Sequence, residues 1–152
     1  PNLSSLRLEK AGISVDENGS PEFDHQSQQI EGHRIFLAGD VSGLRPVLHE
    51  AAEEGHSAAC NSLRPDPVSF RRKCPLFITF TSPEIAVVGK PFREVKEDAA
   101  VVIGAADFFD QGRSRAMLRN EGYLRVYADK TGLVLGSEMV VHGGEHLAHL
   151  LA

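Results

Sequence analysis

Residues of three groups have the side chains and spacing to bear on chemistry. Gly39-Asp40 closes the apolar run Arg34-Ile35-Phe36-Leu37-Ala38. Such a run fits a strand buried on both faces, as in a parallel sheet covered by helices. A carboxylate at its tip would stand at the carboxyl edge of that sheet, where open α/β sheets bind ligands. An ionised Asp only accepts hydrogen bonds, so it suits a hydroxyl-rich partner such as a ribose or an open sugar chain. Gly39 would let that ligand approach the backbone. The plainer alternative is an Asp that caps a turn. His142-Gly143-Gly144-Glu145-His146 matches the H-x-x-E-H string of one zinc peptidase class. That chemistry needs a regular helix, which two consecutive glycines weaken, and a third ligand that is not assigned. The favoured reading is a Gly143-Gly144 turn with Glu145 in the first turn of a helix, where negative charge is favourable, and no metal. Cys60 and Cys74 lie far outside the C-x-x-C spacing of a thiol redox centre. Cys60 is expected to be buried and inert, and Cys74 to start a strand.

The elements that must position these residues can be read around them. A Gly-containing loop follows Asp40, and Pro46 suits the first turn of a helix, where its missing N–H costs nothing. The opening Pro46-Val47-Leu48-His49 would aim free N–H groups and the positive end of the helix dipole at the same place as Asp40. Leu48, Ala52, Gly55, Ala59 and Leu63 recur at helical spacing, with Glu50, Glu53, Glu54 and His56 on the polar face. The small-residue stripe around Ala52–Ala59 is expected to be an exposed apolar patch that needs a partner.

Beyond Arg64-Pro65-Asp66-Pro67 a domain boundary is expected near 66–72, with Arg71-Arg72-Lys73 read as a solvated basic triplet. Leu76–Thr81 is β-branched and aromatic, Ser82-Pro83-Glu84 turns the chain, and Ile85–Gly89 returns. A short helix over Phe92, Val95 and Ala99 precedes a strand at Val101-Val102-Ile103. Tyr123–Tyr127 alternates as a half-buried strand should, Asp129-Lys130-Thr131-Gly132 is a hairpin turn, and Leu133–Val141 returns into a terminal helix. Adjacent strands with short helices between them predict an antiparallel α+β unit. Residues 1–30 are polar and turn-rich, with no visible chemistry.

Composition excludes several classes. Over 152 residues, 41% are hydrophobic and 24% charged, so most of the chain is not disordered. A formal net charge of −5 argues against a general nucleic-acid binder, and no apolar run is long enough for a membrane span. Gly-rich dinucleotide, Walker and G-x-S-x-G motifs do not occur. Pro1 at the start and the apolar ending Leu147–Ala152 both read as cuts through a longer protein.

Taken together, several segments resemble one family. His33–Asp40 followed by Leu48-His49-Glu50-Ala51 and Glu54-Gly55 resembles the second flavin-contacting motif of the FAD- and NAD(P)-dependent disulfide oxidoreductases. Pro1-Asn2 and Leu8–Ile13 resemble the segment just before it. Thr79–Gly89 is similar to the opening of their C-terminal dimerisation domain, Gly112–Ala116 and Gly122–Val126 to its middle, and Leu135-Gly136 through Gly144-Glu145 to its final strand and helix. Within the family the chain looks most like dihydrolipoyl dehydrogenases. The resemblance implies a remnant of an α/β FAD-binding domain over 1–66 and a dimerisation domain over 67–152, the latter cut short at its C-terminus. It implies that Asp40 hydrogen-bonds the ribityl chain of FAD, with Gly39 beside it, and that Pro46, Val47, Leu48 and His49 lie beside the flavin ring. Many members have Met-Leu-Ala-His where this chain has Pro-Val-Leu-His, a change that main-chain contacts would tolerate. It further implies a homodimeric, cytoplasmic parent enzyme in which dithiol oxidation is coupled through FAD to NAD. The redox cysteines, the nucleotide fingerprints and the FAD and NAD domains would lie upstream, and a partner-subunit His–Glu pair beyond Ala152. On that view this chain carries no catalytic residue and is inactive alone. A free-standing interaction module that binds no cofactor is the alternative.

Overall fold

The computed structural model describes residues 2–152. They form two compact units, one ending at Arg72 and the other spanning Lys73–Ala152.

The first unit is assembled largely from turns. Short 3-10 turns at Ser4–Leu6 and Leu8–Ala11 lead into isolated bridges pairing Val15 with Pro21, Phe23 with Ile30 and Gln29 with Phe36. Ile13, Ile30 and Leu37 make a small core, with Leu8, Phe23 and Val41 packed on it. Asp16 and Asp24 tie their own loops, accepting from the N–H groups of Asn18 and Ser20 and of Gln26 and Ser27.

The run at 34–40 is not the two-faced buried strand expected from its composition. Only Phe36 makes a bridge, to Gln29, and Ile35 is exposed. A central strand needs hydrogen-bonding neighbours on both edges, and among the described residues this run pairs only with the segment around Gln29. The chain instead closes into a 3-10 turn at Gly39–Ser42. Helix α1 then runs from Leu48 to Ser62 with Val47 as its N-cap residue, so Pro46 precedes the helix rather than entering its first turn.

The orientation of α1 reverses part of the expectation. Its buried residues are Glu50, Glu54, Ser57 and Asn61, spaced along one face. The stripe of small and apolar residues faces outward, with Leu48 86% and Leu63 87% exposed. Ala52 and Ala59 are exposed with them, as the reading of an unpartnered apolar patch requires. The polar face can be buried because Glu50, Glu54 and Asn61 all find partners. Asn61, fully buried, donates to the carbonyls of Ser27 and Val68 and accepts from the Val68 N–H. Arg72 bonds both glutamates, so it is not the solvated charge its neighbours suggest. These bonds place residues 67–72 with the first unit.

The second unit is a five-stranded antiparallel sheet. Strands β1 (Leu76–Thr79), β2 (Glu84–Gly89), β3 (Val102–Asp107), β4 (Gly122–Ala128) and β5 (Val134–Val141) lie in the order β1-β2-β5-β4-β3. Helices α2 (Phe92–Val95) and α3 (Gly112–Ala116) fall between strands, and α4 (Gly144–Leu151) follows β5. Strand alternation puts Ala86, Val88, Met139 and Val141 on one face, where they pack with Leu76 and Ala148 of α4. The other face carries Arg125 opposite Glu138, with Tyr127 opposite Gly136. Gly136 is required there: a Cβ would lie 2.4 Å from the Lys90 carbonyl oxygen and 2.7 Å from that of Val88. Asp129 closes the β4–β5 hairpin by accepting from the N–H groups of Thr131 and Leu133. The sheet, its helices and the hairpin match the expected antiparallel α+β class.

Candidate functional site

Gly39 and Asp40 open the 3-10 turn that packs against α1. Gly39 has a φ of +80°, a conformation that suits glycine, and its N–H donates to Glu54 Oε2 at 2.8 Å. Glu54 thereby ties the turn to the helix that supplies the other candidates. Asp40 is exposed, and its carboxylate has no side-chain partner among the described residues. Its position is a turn rather than the tip of a sheet strand, because the preceding run pairs only through the single Phe36–Gln29 bridge.

Pro46, Leu48 and His49 are exposed and Val47 is half-buried. No side chain caps the start of α1, so its first N–H groups are open to an external acceptor. The structure therefore brings the six candidates into two adjoining pieces, a Gly-Asp turn and an uncapped helix start, on an open surface. A hollow of about 550 Å³ in the same unit is lined by His25, Leu44, Arg45, Phe70 and Arg72, and by none of the six.

Sequence reasoning missed the charged layer beneath this surface. Glu54 Oε1 accepts from Arg72 Nη2 at 2.7 Å and from the Ser42 hydroxyl at 3.3 Å. Glu50 accepts from Arg45 at 2.7 Å and from Arg72 Nη1 at 3.0 Å. The two carboxylates are nearly inaccessible, and two guanidiniums balance them. The signal in the sequence was the glutamate pair at i, i+4, which also fits a solvated helix face.

The remaining candidates do not assemble a centre. Gly143, at a φ of +76°, turns the chain into α4, and Glu145 lies in that helix's first turn. His142 Nε2 lies 3.0 Å from Glu121, whereas His146 is exposed beside Glu145. Among the described residues no cluster of His, Cys, Asp and Glu is arranged to hold a metal ion. Both cysteines are free and half-buried; Cys60 Sγ lies 3.6 Å from His56 Nε2.

In the second unit, Glu138 accepts from the Phe92 N–H at 2.7 Å and from the Arg125 guanidinium, which stacks 3.7 Å from the Phe92 ring centroid. Burial works to raise the Glu138 pKa, but the Arg125 and Phe92 hydrogen bonds outweigh it and hold the carboxyl below its ordinary value. Tyr127 donates to the Lys90 carbonyl, and burial with the nearby Glu138 charge pushes its pKa up to about 12. This network braces the sheet.

Residues 77–152 match the family described as pyridine nucleotide-disulphide oxidoreductase, dimerisation domain. The chain belongs to this family. Curated relatives match along its whole length. The dihydrolipoyl dehydrogenase of Haloferax volcanii is 32% identical over 155 residues, covering 100% of this chain and 32% of that protein. The dihydrolipoyl dehydrogenase of Vibrio cholerae is 34% identical, covering 99% of this chain and 32% of that protein. The chain thus spans about one third of the length of these relatives. Among solved structures, LpdA of Mycobacterium tuberculosis superposes with a TM-score of 0.85 at 27% identity, over 99% of this chain and 33% of that one. The HOCl-induced flavoprotein disulfide reductase RclA of Escherichia coli shares the fold, with a TM-score of 0.86 at 23% identity over 99% of this chain and 35% of that one.

Proposed function

We propose that this chain is the part of a dihydrolipoyl dehydrogenase-like enzyme that completes the FAD site and forms the homodimer. The observation that carries the reading is the Gly39–Asp40 turn locked beside an uncapped helix start. An unpartnered carboxylate fits the hydroxyls of a ribityl chain, and free helix N–H groups fit the electron-rich edge of a flavin ring. Gly39 supplies the left-handed backbone, φ +80°, that lets the turn pack against Ala51 of α1. The residues present therefore fit FAD.

In this reading Asp40 accepts hydrogen bonds from the ribityl hydroxyls. Val47, Leu48 and His49 present the helix start to the ring, where the dipole stabilises negative charge, and Pro46 fixes the entry to that helix. Bound FAD supplies electron transfer between a dithiol and NAD. The dithiol and the NAD site belong to N-terminal FAD and NAD domains of the same polypeptide. The Lys73–Ala152 sheet joins two copies. The chain alone holds no FAD tightly and turns over no substrate. The parent acts in the cytoplasm, and no helix among the described residues is long and apolar enough to cross a membrane.

The test is flavin content per subunit in the parent polypeptide, before and after Asp40→Ala. A clear loss of bound FAD with the dimer retained supports the reading. Unchanged flavin content would overturn it.

A further inference from the structure

We infer that Glu54 is a positioning residue for the flavin-contacting turn, and that Arg72 holds Glu54 in place; this rests on the reading that Gly39–Asp40 contacts FAD. Glu54 is 3% exposed, and both of its carboxylate oxygens are committed. One takes the Gly39 N–H at 2.8 Å; the other takes the Ser42 hydroxyl at 3.3 Å and Arg72 Nη2 at 2.7 Å. Gly39 and Ser42 are the two ends of the turn, so a single carboxylate grips both ends and leaves Asp40 between them free. Asp40 itself has nothing else to aim it.

The grip depends on charge. A buried carboxylate is retained only when it is paired and hydrogen-bonded. Arg72 supplies that pairing with a forked guanidinium, reaching Glu54 with one nitrogen and Glu50, one helical turn earlier, with the other at 3.0 Å. Arg45 holds the second oxygen of Glu50 at 2.7 Å, so the arginine is tethered to a fixed point on α1. This arrangement accounts for the helix burying its acidic face and leaving its small apolar face outside. Arg72 is also the last residue of its unit, directly preceding Lys73, so the turn is anchored to the segment that leads into the dimerisation domain.

The test is a double-mutant cycle on FAD affinity in the parent polypeptide. The dissociation constant is measured by flavin fluorescence on apoprotein, with helix content checked by circular dichroism. Glu54→Gln keeps size but loses the charge, and is expected to weaken FAD binding by about 10- to 100-fold, the range of one charge-assisted hydrogen bond. Because Glu54 acts through the placement of Asp40, adding Glu54→Gln to Asp40→Ala is expected to cost less than about 3-fold more. A purely structural glutamate would instead give effects that multiply in full, which overturns the inference. So does an Asp40→Ala variant that weakens FAD binding while Glu54→Gln does not. If Asp40→Ala itself leaves affinity unchanged, the flavin reading fails first, and this inference with it. Should Glu54→Gln fail to fold, Arg72→Lys carries the same cycle. Its single ammonium cannot fork to both glutamates, and about 3- to 10-fold weaker binding is expected. No weakening, or full multiplication with Asp40→Ala, would overturn the inference in that variant too.

Discussion

Glu138→Ala should unlock the outer face of the second unit's sheet. The carboxylate takes one backbone N–H, from Phe92 at 2.7 Å, and two guanidinium contacts from Arg125, one of them at 3.2 Å. Hydrogen bonds to a charged group contribute about 1.5–3 kcal/mol each. The side chains are 25% and 32% exposed, so screening trims the total to about 2–4 kcal/mol. Glu138→Gln keeps the acceptor for Phe92 and should lose only about 1–2 kcal/mol. The assay is urea unfolding of the 152-residue chain followed by tyrosine fluorescence. Both tyrosines, Tyr123 and Tyr127, lie in β4 and tryptophan is absent, so the signal reports the second unit alone. The effect also has a pH signature. The folded carboxyl titrates below its ordinary value of 4.5, so its stabilisation is full above that value and is lost as pH falls through the folded pKa. The difference between wild type and Glu138→Ala should therefore shrink on acidification below about pH 4.5. A Glu138→Ala chain within about 0.5 kcal/mol of wild type, or a difference unchanged from neutral pH down to about pH 3, would refute the reasoning.

Gly136→Ala drives a methyl to 2.4 Å and 2.7 Å from two backbone carbonyl oxygens that cannot yield separately, and should cost more than about 3 kcal/mol in the same unfolding assay; a neutral result would contradict the packing. Asn61→Ala strips partners from Ser27 and from both backbone groups of Val68, and should cost the first unit about 2–4 kcal/mol. Loss of hydrogen-exchange protection at the Val68 amide measures it, and retained protection would argue against the assignment. Tyr127 should ionise only near pH 12, seen as a tyrosinate absorbance step that Tyr127→Phe removes. Because its folded pKa is raised, the stabilisation it contributes is full below about pH 10 and fades as pH rises towards 12.

The second unit was legible in the sequence because its signals are local. Alternation along Tyr123–Tyr127, the Asp129–Gly132 turn and the double glycine at the start of α4 each fix structure within a few residues. Helix α3 escaped notice because it is five residues long and is held by a Gln111 side chain bonding the Ser114 N–H, which leaves no apolar periodicity to read. In the first unit the decisive partners are distant in sequence. The run at 34–40 has strand composition, but becoming a strand depends on neighbours that composition does not reveal. The position of α1 was readable from its spacing. Its buried face was not, because the burial of Glu50 and Glu54 depends on Arg72, more than a helix length away in the chain. The grip on Gly39 was hidden in the same way, across 15 residues. Asp40 was singled out from a strand-tip position it does not occupy; the turn it occupies leaves its carboxylate equally free.

The most direct measurement is a crystal structure of the flavin-loaded parent polypeptide. The predicted result places the Asp40 carboxylate within hydrogen-bond distance of a ribityl hydroxyl and the start of α1 against the flavin ring, with the Lys73–Ala152 sheets of two copies in the dimer contact. A flavin bound elsewhere, with Asp40 facing bulk solvent, would contradict the assignment.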